Sequence, residues 1–141
     1  MMKKTQRRVQ RPHQRGVAAV EFALVLPVLL TLVLGAVDWG WYFFIDQLVT
    51  NAAREGARAG TLLSPPPASS TGQAVSAATT ASNTYLQKVR LTATGVAASY
   101  TTVNGTDAVS VTITYPVGSL TGFLTAVMPK NAVATAVMRW Q

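Results

Sequence analysis

Cysteine is absent from the 141 residues, histidine occurs once and acidic residues number five. The first absence excludes a disulfide framework and any thiolate metal site. The second removes the usual general base and metal ligand from the folded part, because His13 lies in a polar N-terminal segment. Four acids lie beyond the apolar run, at Asp38, Asp46, Glu55 and Asp107, too scattered to form a carboxylate pair. Gly35 and Gly40 sit within an apolar helical pattern rather than after a strand, so they build no phosphate loop. Serine and threonine are plentiful, but they alternate along strands or fill loops. An enzyme is therefore not expected, nor are a cofactor or a metal site.

What is abundant is hydrocarbon, 49% of residues, with only 12% charged. The net charge of +7 suggests nucleic acid until it is divided along the chain. Lys3, Lys4, Arg7, Arg8, Arg11 and Arg15 precede residue 17 with no acid among them, while the six remaining bases face the five acids. The excess belongs to a leader, 1–16, that is too polar to bury surface. No aromatic platform or base-reading element accompanies it, so nucleic acid is not the expected partner.

Val17 to Val37 is a run of 21 residues interrupted only by Glu21, Pro27, Thr31 and Gly35. At about 1.5 Å per residue it spans about 31 Å, the thickness of a bilayer core, which makes lipid the expected surroundings. The basic leader on one side, against Asp38 and Asp46 as the first charges on the other, places the N-terminus in the cytoplasm and the C-terminal part outside. Trp39, Trp41 and Tyr42, with Phe43 and Phe44, fall where the far interface should lie; their competing role is core packing of a small domain. Beyond them Ile45, Leu48, Val49, Ala52, Ala53 and Ala57 keep helical spacing, so the helix is expected to run through 17–61. Its distal residues are small, which admits a second backbone, either from another chain or from its own C-terminal domain.

A Pro/Ser linker, 62–72, contains Pro65-Pro66-Pro67, which no helix crosses. Ser70 and Gln73 resemble a capping box, with Val75, Ala78, Tyr85, Leu86 and Val89 giving the following helix, over 73–87, one apolar face. Val89 to Thr102 and Ala108 to Tyr115 read as strands around an Asn104-Gly105 hairpin turn. Val109, Val111, Ile113 and Tyr115 share one face of the second. Leu120 to Met128 reads as a brief helix or loop, and Ala132 to Trp140 as a last strand. The expected fold class is α+β: a long N-terminal helix, half membrane-spanning and half polar, with a small antiparallel sheet of three strands and a second helix in an extracytoplasmic domain, 73–141.

Glu21 is the feature this layout leaves unexplained. It lies about 6 Å into the apolar run, where a charge is costly. Snorkelling, the field at a helix N-terminus, or a cation from another chain would each compensate. If the bond after Gly16 is hydrolysed, Val17 acquires an α-amino group, mostly protonated at neutral pH. That amine then lies a turn from its own Glu21, and a neighbouring subunit could present its amine to this carboxylate instead. Such a pair sets register more than it adds stability.

The tract Arg15-Gly16-Val17-Ala18-Ala19-Val20-Glu21-Phe22, the run Glu21 to Pro27 and the tract Asn51-Ala52-Ala53-Arg54-Glu55-Gly56-Ala57-Arg58-Ala59 together resemble the N-terminal domain of TadE-like proteins, pseudopilins of the tight-adherence (Flp, Tad) branch of type IV pilus systems. The resemblance covers 15–59. It implies that a prepilin peptidase cuts between Gly16 and Val17, that a side chain at Gly16 would not fit that enzyme, and that Glu21, Phe22 and Pro27 act in recognition and assembly. It implies as partners that peptidase, other pilins and pseudopilins, and the pilus assembly platform, with hetero-oligomers formed through the N-terminal helix. The chain is longer than the very short major Flp pilins, which favours a minor pseudopilin in a priming, tip or assembly role. Val17 stands where better-known pilins often have an aromatic residue or methionine, so N-methylation of the new amine is left open. Two other readings compete: an uncleaved, single-pass anchored binding protein of the envelope, and a secretory precursor cut near Leu34-Gly35-Ala36. The second fits poorly, because the apolar region is too long and contains an acid.

Overall fold

The computed structural model describes residues 14–63 and 71–140. Helix α1 runs from Gln14 to Thr61, 48 residues without interruption, which at 1.5 Å per residue is about 72 Å. Alanine, leucine and valine dominate it, and Pro27 removes one backbone donor without ending it. The Thr31 hydroxyl donates to the Pro27 carbonyl at 2.8 Å. At the far end Arg58 lies in the last turn, where a cation suits the helix dipole, and its carbonyl accepts Leu62 N–H at 3.1 Å.

Helix α2, Thr71–Lys88, lies beside the distal half of α1. Its buried row is Ala74, Ala78, Ser82 and Leu86, one helical turn apart. This corrects the expected face: Val75 and Tyr85 sit on its margin, half-buried, because the close approach to α1 selects the small residues. Ser70, expected to open this helix with a capping box, lies outside the described residues. The helix closes in a Schellman turn. Arg90 adopts φ 58°, Arg90 N–H donates to the Gln87 carbonyl at 3.0 Å and Leu91 N–H to the Leu86 carbonyl at 2.9 Å. The first strand therefore begins six residues later than its valine- and threonine-rich sequence suggests.

Strands β1 (Gly95–Val103), β2 (Thr106–Pro116) and β3 (Asn131–Arg139) form an antiparallel sheet in that order. Asn104 and Gly105 carry φ of 53° and 76°, the left-handed pair that a two-residue type I′ turn requires. Val109, Val111 and Ile113 point into the core, as alternation predicts, with Ala132 and Ala134 beside them on β3. On the opposite face Thr112 pairs with Thr135 across the strands, hydroxyl to hydroxyl at 3.0 Å. Helix α1 covers β2 and β3, and α2 covers β1. The core between helices and sheet is closed by Ile45, Val49, Ala52, Ala53 and Ala57 from α1 and by Leu86 from α2. The result is the α+β, pilin-like layout: a long helix whose distal half is built into a small head and whose proximal half projects from it.

The two helices meet through almost no side chain. A Cβ placed at Gly60 would come within 3.0 Å of the Ala74 carbonyl oxygen and 3.1 Å of the Val109 methyls. One placed at Gly56 would fall onto the Ser82 hydroxyl, which itself donates to the Ala52 carbonyl at 3.2 Å. The small-residue stripe of α1 is therefore occupied by the chain's own second helix, the intramolecular of its two expected uses.

Candidate functional site

The part of α1 that precedes Gly35 touches almost nothing. Val17, Val20, Phe22, Leu24, Val25, Val28, Leu32 and Val33 are all at least half exposed, on every side of the helix. This is the one described helix long and apolar enough to cross a membrane, and none of its most apolar window is buried in the protein. A soluble core helix hides its apolar residues; this one presents them to its surroundings.

Along this rod lie the residues that the sequence singled out. Gly16 and Val17 are in the first turns, exposed, and among the described residues nothing lies within 4 Å of a Cβ built at Gly16. The fold itself thus gives no steric reason for glycine there. Glu21 and Phe22 project outward one turn further on, and Pro27 is likewise exposed. They share no pocket. They form a linear array of exposed residues on one helix. Lys3, Lys4, Arg7, Arg8 and Arg11 lie outside the described residues, as does the side chain of Arg15.

About 26 Å beyond Glu21 along the helix, at 1.5 Å per residue, stands a carboxylate whose role the sequence did not reveal. Asp38 has no exposed surface. The turn that joins β2 to β3 wraps around it. Its Oδ2 accepts the Ser119 hydroxyl at 2.7 Å, the Thr121 hydroxyl at 2.8 Å and Leu124 N–H at 3.2 Å, while Oδ1 accepts Thr121 N–H at 2.8 Å. Burial pushes the carboxyl upward, but the Thr121 amide, the Ser119 and Thr121 hydroxyls and the Leu124 amide outweigh it and hold the group at about 2. Read along the sequence, Asp38 was only the first charge past the apolar run. The available signal was its place on the buried stripe, seven residues before Ile45, facing a hydroxyl-rich Ser119-x-Thr121 turn.

The aromatic cluster is split between partly buried and exposed rings. Trp41 and Tyr42 pack against the core, whereas Trp39, Phe43 and Phe44 stay exposed. Trp39 bridges the two groups, with its ring 5.9 Å from Tyr42 edge-on and 5.8 Å from Phe43. Among the described residues no cluster of three or more histidine, cysteine or acidic side chains could hold a metal. No buried side-chain polar atom among them lacks a hydrogen-bond partner.

An exposed apolar rod that carries one acid near its start and is built into a small α+β head is a pilin-like layout. Residues 16–58 match the family model of the TadE-like protein, a stretch that begins at Gly16 and covers most of α1. That family is associated with assembly of Tad pili and is not an enzyme family. No curated protein and no solved structure matches the chain. Residues 71–140, which form α2 and the sheet, lie outside the family match.

Proposed function

We propose that the chain is a minor pseudopilin of a Tad-type pilus system. It is cut between Gly16 and Val17 by a prepilin peptidase, held by 17–37 as a single membrane span, and recruited to the assembly platform through the N-terminal half of α1. The N-terminus is cytoplasmic and the head extracytoplasmic. The boundaries that follow are a removed leader 1–16, the long helix 17–61, a linker 62–72 and a head 73–141. The observation that carries the reading is the exposed rod beginning at Gly16: the residues that resemble a processing and assembly motif are the ones that the fold does not use for itself.

Glycine in a helix costs about 1 kcal/mol relative to alanine, and none of the described residues crowds Gly16, so the requirement for glycine is assigned to the peptidase. Once Val17 carries a free amine, Glu21 of one subunit is positioned to take the amine of a neighbour, which fixes the axial register of two rods. Phe22 supports that contact. Pro27 frees the Ala23 carbonyl, a polar group that a bundle of such helices can satisfy.

The test is a pair of substitutions in cells that contain the peptidase and the assembly proteins. Gly16→Arg should leave a precursor about 16 residues longer, read by mobility and mass; processing equal to wild type would remove the peptidase from this account. Glu21→Ala should be processed normally but lose surface pili. Unchanged piliation would refute the register role of Glu21 while leaving the processing step intact.

A further inference from the structure

We propose that the β2–β3 turn, Ser119 to Met128, is a second membrane contact, which seats Leu120, Phe123 and Val127 at the boundary between headgroups and acyl chains on the head side of the bilayer. The proposal rests on the reading of 17–37 as a membrane span. Three observations carry it.

The first is position. Leu124 Cδ1 lies 3.6 Å from a Cβ built at Gly35, inside the apolar run, and Asp38 fastens the same turn just beyond that run. The turn is therefore level with the last few ångströms of the span, and Trp39 and Phe43 stay exposed on the helix about 3 and 9 Å beyond Val37. The second is composition. No charged residue occurs between Val117 and Pro129, while Leu120 is 59% exposed, Phe123 51% and Val127 73%. Scattered apolar side chains are ordinary on a protein surface, but three within eight residues, beside a membrane-type helix, extend its apolar surface sideways.

The third is the accounting of polar groups. Irregular backbone entering a medium without water must find its partners within the protein. Here Thr121 and Leu124 N–H donate to Asp38, Gly122 N–H to the Ser119 hydroxyl and Phe123 N–H to the Thr121 hydroxyl, while Val127 and Met128 N–H donate to the Leu124 carbonyl. The hydroxyls of Ser119 and Thr121 donate to Asp38, and that of Thr125 donates to the Gly122 carbonyl. A protein-binding patch is expected to keep a polar rim for its partner. This turn presents hydrocarbon and spends its three hydroxyls and six of its backbone N–H groups on partners within the protein, which favours lipid over a second copy or another protein. The consequence is a head fixed at two points, so that it cannot swing freely about α1.

The chain contains no cysteine, so single cysteines can carry a spin label without background. Full chains labelled at Phe123→Cys, at Leu30→Cys within the span and at Thr102→Cys beside the distal hairpin are reconstituted in phosphatidylethanolamine and phosphatidylglycerol vesicles. Collisions with oxygen and with a water-soluble nickel chelate are then compared by electron paramagnetic resonance. The expected result is an oxygen-to-nickel accessibility ratio at position 123 severalfold above that at 102 and approaching that at 30. A ratio at 123 equal to that at 102, with position 30 in lipid, overturns the proposal and leaves the span intact. Dipolar broadening at 123 that disappears on dilution with unlabelled chain identifies a second copy as the occupant and also overturns it. Nickel access at position 30 defeats the span itself, and the proposal falls with it.

Discussion

One methyl group added at Gly56 should destabilise the head, and the same group added at Gly40 should not. Both glycines are helical, and alanine at either gains about 1 kcal/mol of helix propensity. At Gly40 nothing lies within 4 Å of the new carbon, so that gain stands and Gly40→Ala should be neutral or slightly stabilising. At Gly56 the carbon would land on the Ser82 hydroxyl and 2.8 Å from the Ala78 carbonyl oxygen. Ser82 can turn away only by giving up its bond to the Ala52 carbonyl inside a fully buried site, a loss of about 1–3 kcal/mol. The Ala78 carbonyl is backbone, so α2 must also shift, at about 1–3 kcal/mol for overpacking. Set against the propensity gain, the net is about 1–5 kcal/mol of destabilisation, with Tm falling by about 4–8 °C for each kcal/mol in a head of this size. Thermal unfolding in detergent, followed by near-ultraviolet circular dichroism of Trp41 and Trp140, measures it. Ser82→Ala in the Gly56→Ala background should recover only part of the loss, because the Ala78 contact remains. A Gly56→Ala chain that melts at or above the wild type would refute the close approach of α1 and α2.

Asp38→Asn replaces a pure acceptor with a group that cannot accept at both oxygens, so the amides of Thr121 and Leu124 should exchange hydrogen faster while those of β2 keep their protection; unchanged exchange in the turn would show that Asp38 does not fasten it. The Asp38 carboxyl is held below its ordinary 3.8, so its contribution is complete above that pH and is lost as pH falls through about 2. The turn should therefore stay protected from pH 8 down to about 4 and loosen only near 2, and release centred at or above 4 would contradict the four-donor cradle. Gly105→Val forces a β-branched residue into φ near +76° and should cost about 1–2 kcal/mol, read as a lower midpoint in urea; no shift would mean that the hairpin turn is of another type.

Much of this architecture was legible because its signals are local and strong. An apolar run of bilayer length, an Asn104-Gly105 turn and the alternation of Val109, Val111 and Ile113 each specify an element without reference to the rest of the chain. What could not be read depends on contacts between elements distant in sequence. The buried face of α2 is chosen by Gly56 and Gly60 on another helix, so Ala74 and Ser82 outrank the more apolar Val75 and Tyr85. The end of α2 at Arg90 runs against the preference for glycine in a left-handed cap, which hid the boundary before β1. Asp38 and its turn are more than 80 positions apart in the chain, and a carboxylate next to an apolar run reads as a solvent marker until the hydroxyls and amides that cover it are in place. The linear motif from Gly16 to Pro27 was readable from sequence because it is a local run of residues that the head does not bury; the role proposed for it lies in other molecules.

The most direct test is the first residue of the chain extracted from membranes of cells that contain an active prepilin peptidase, determined by N-terminal sequencing and intact mass. Val17 as the first residue is the predicted result. A chain that still begins at Met1, while another substrate of the same peptidase is cut in the same cells, would contradict the pseudopilin account.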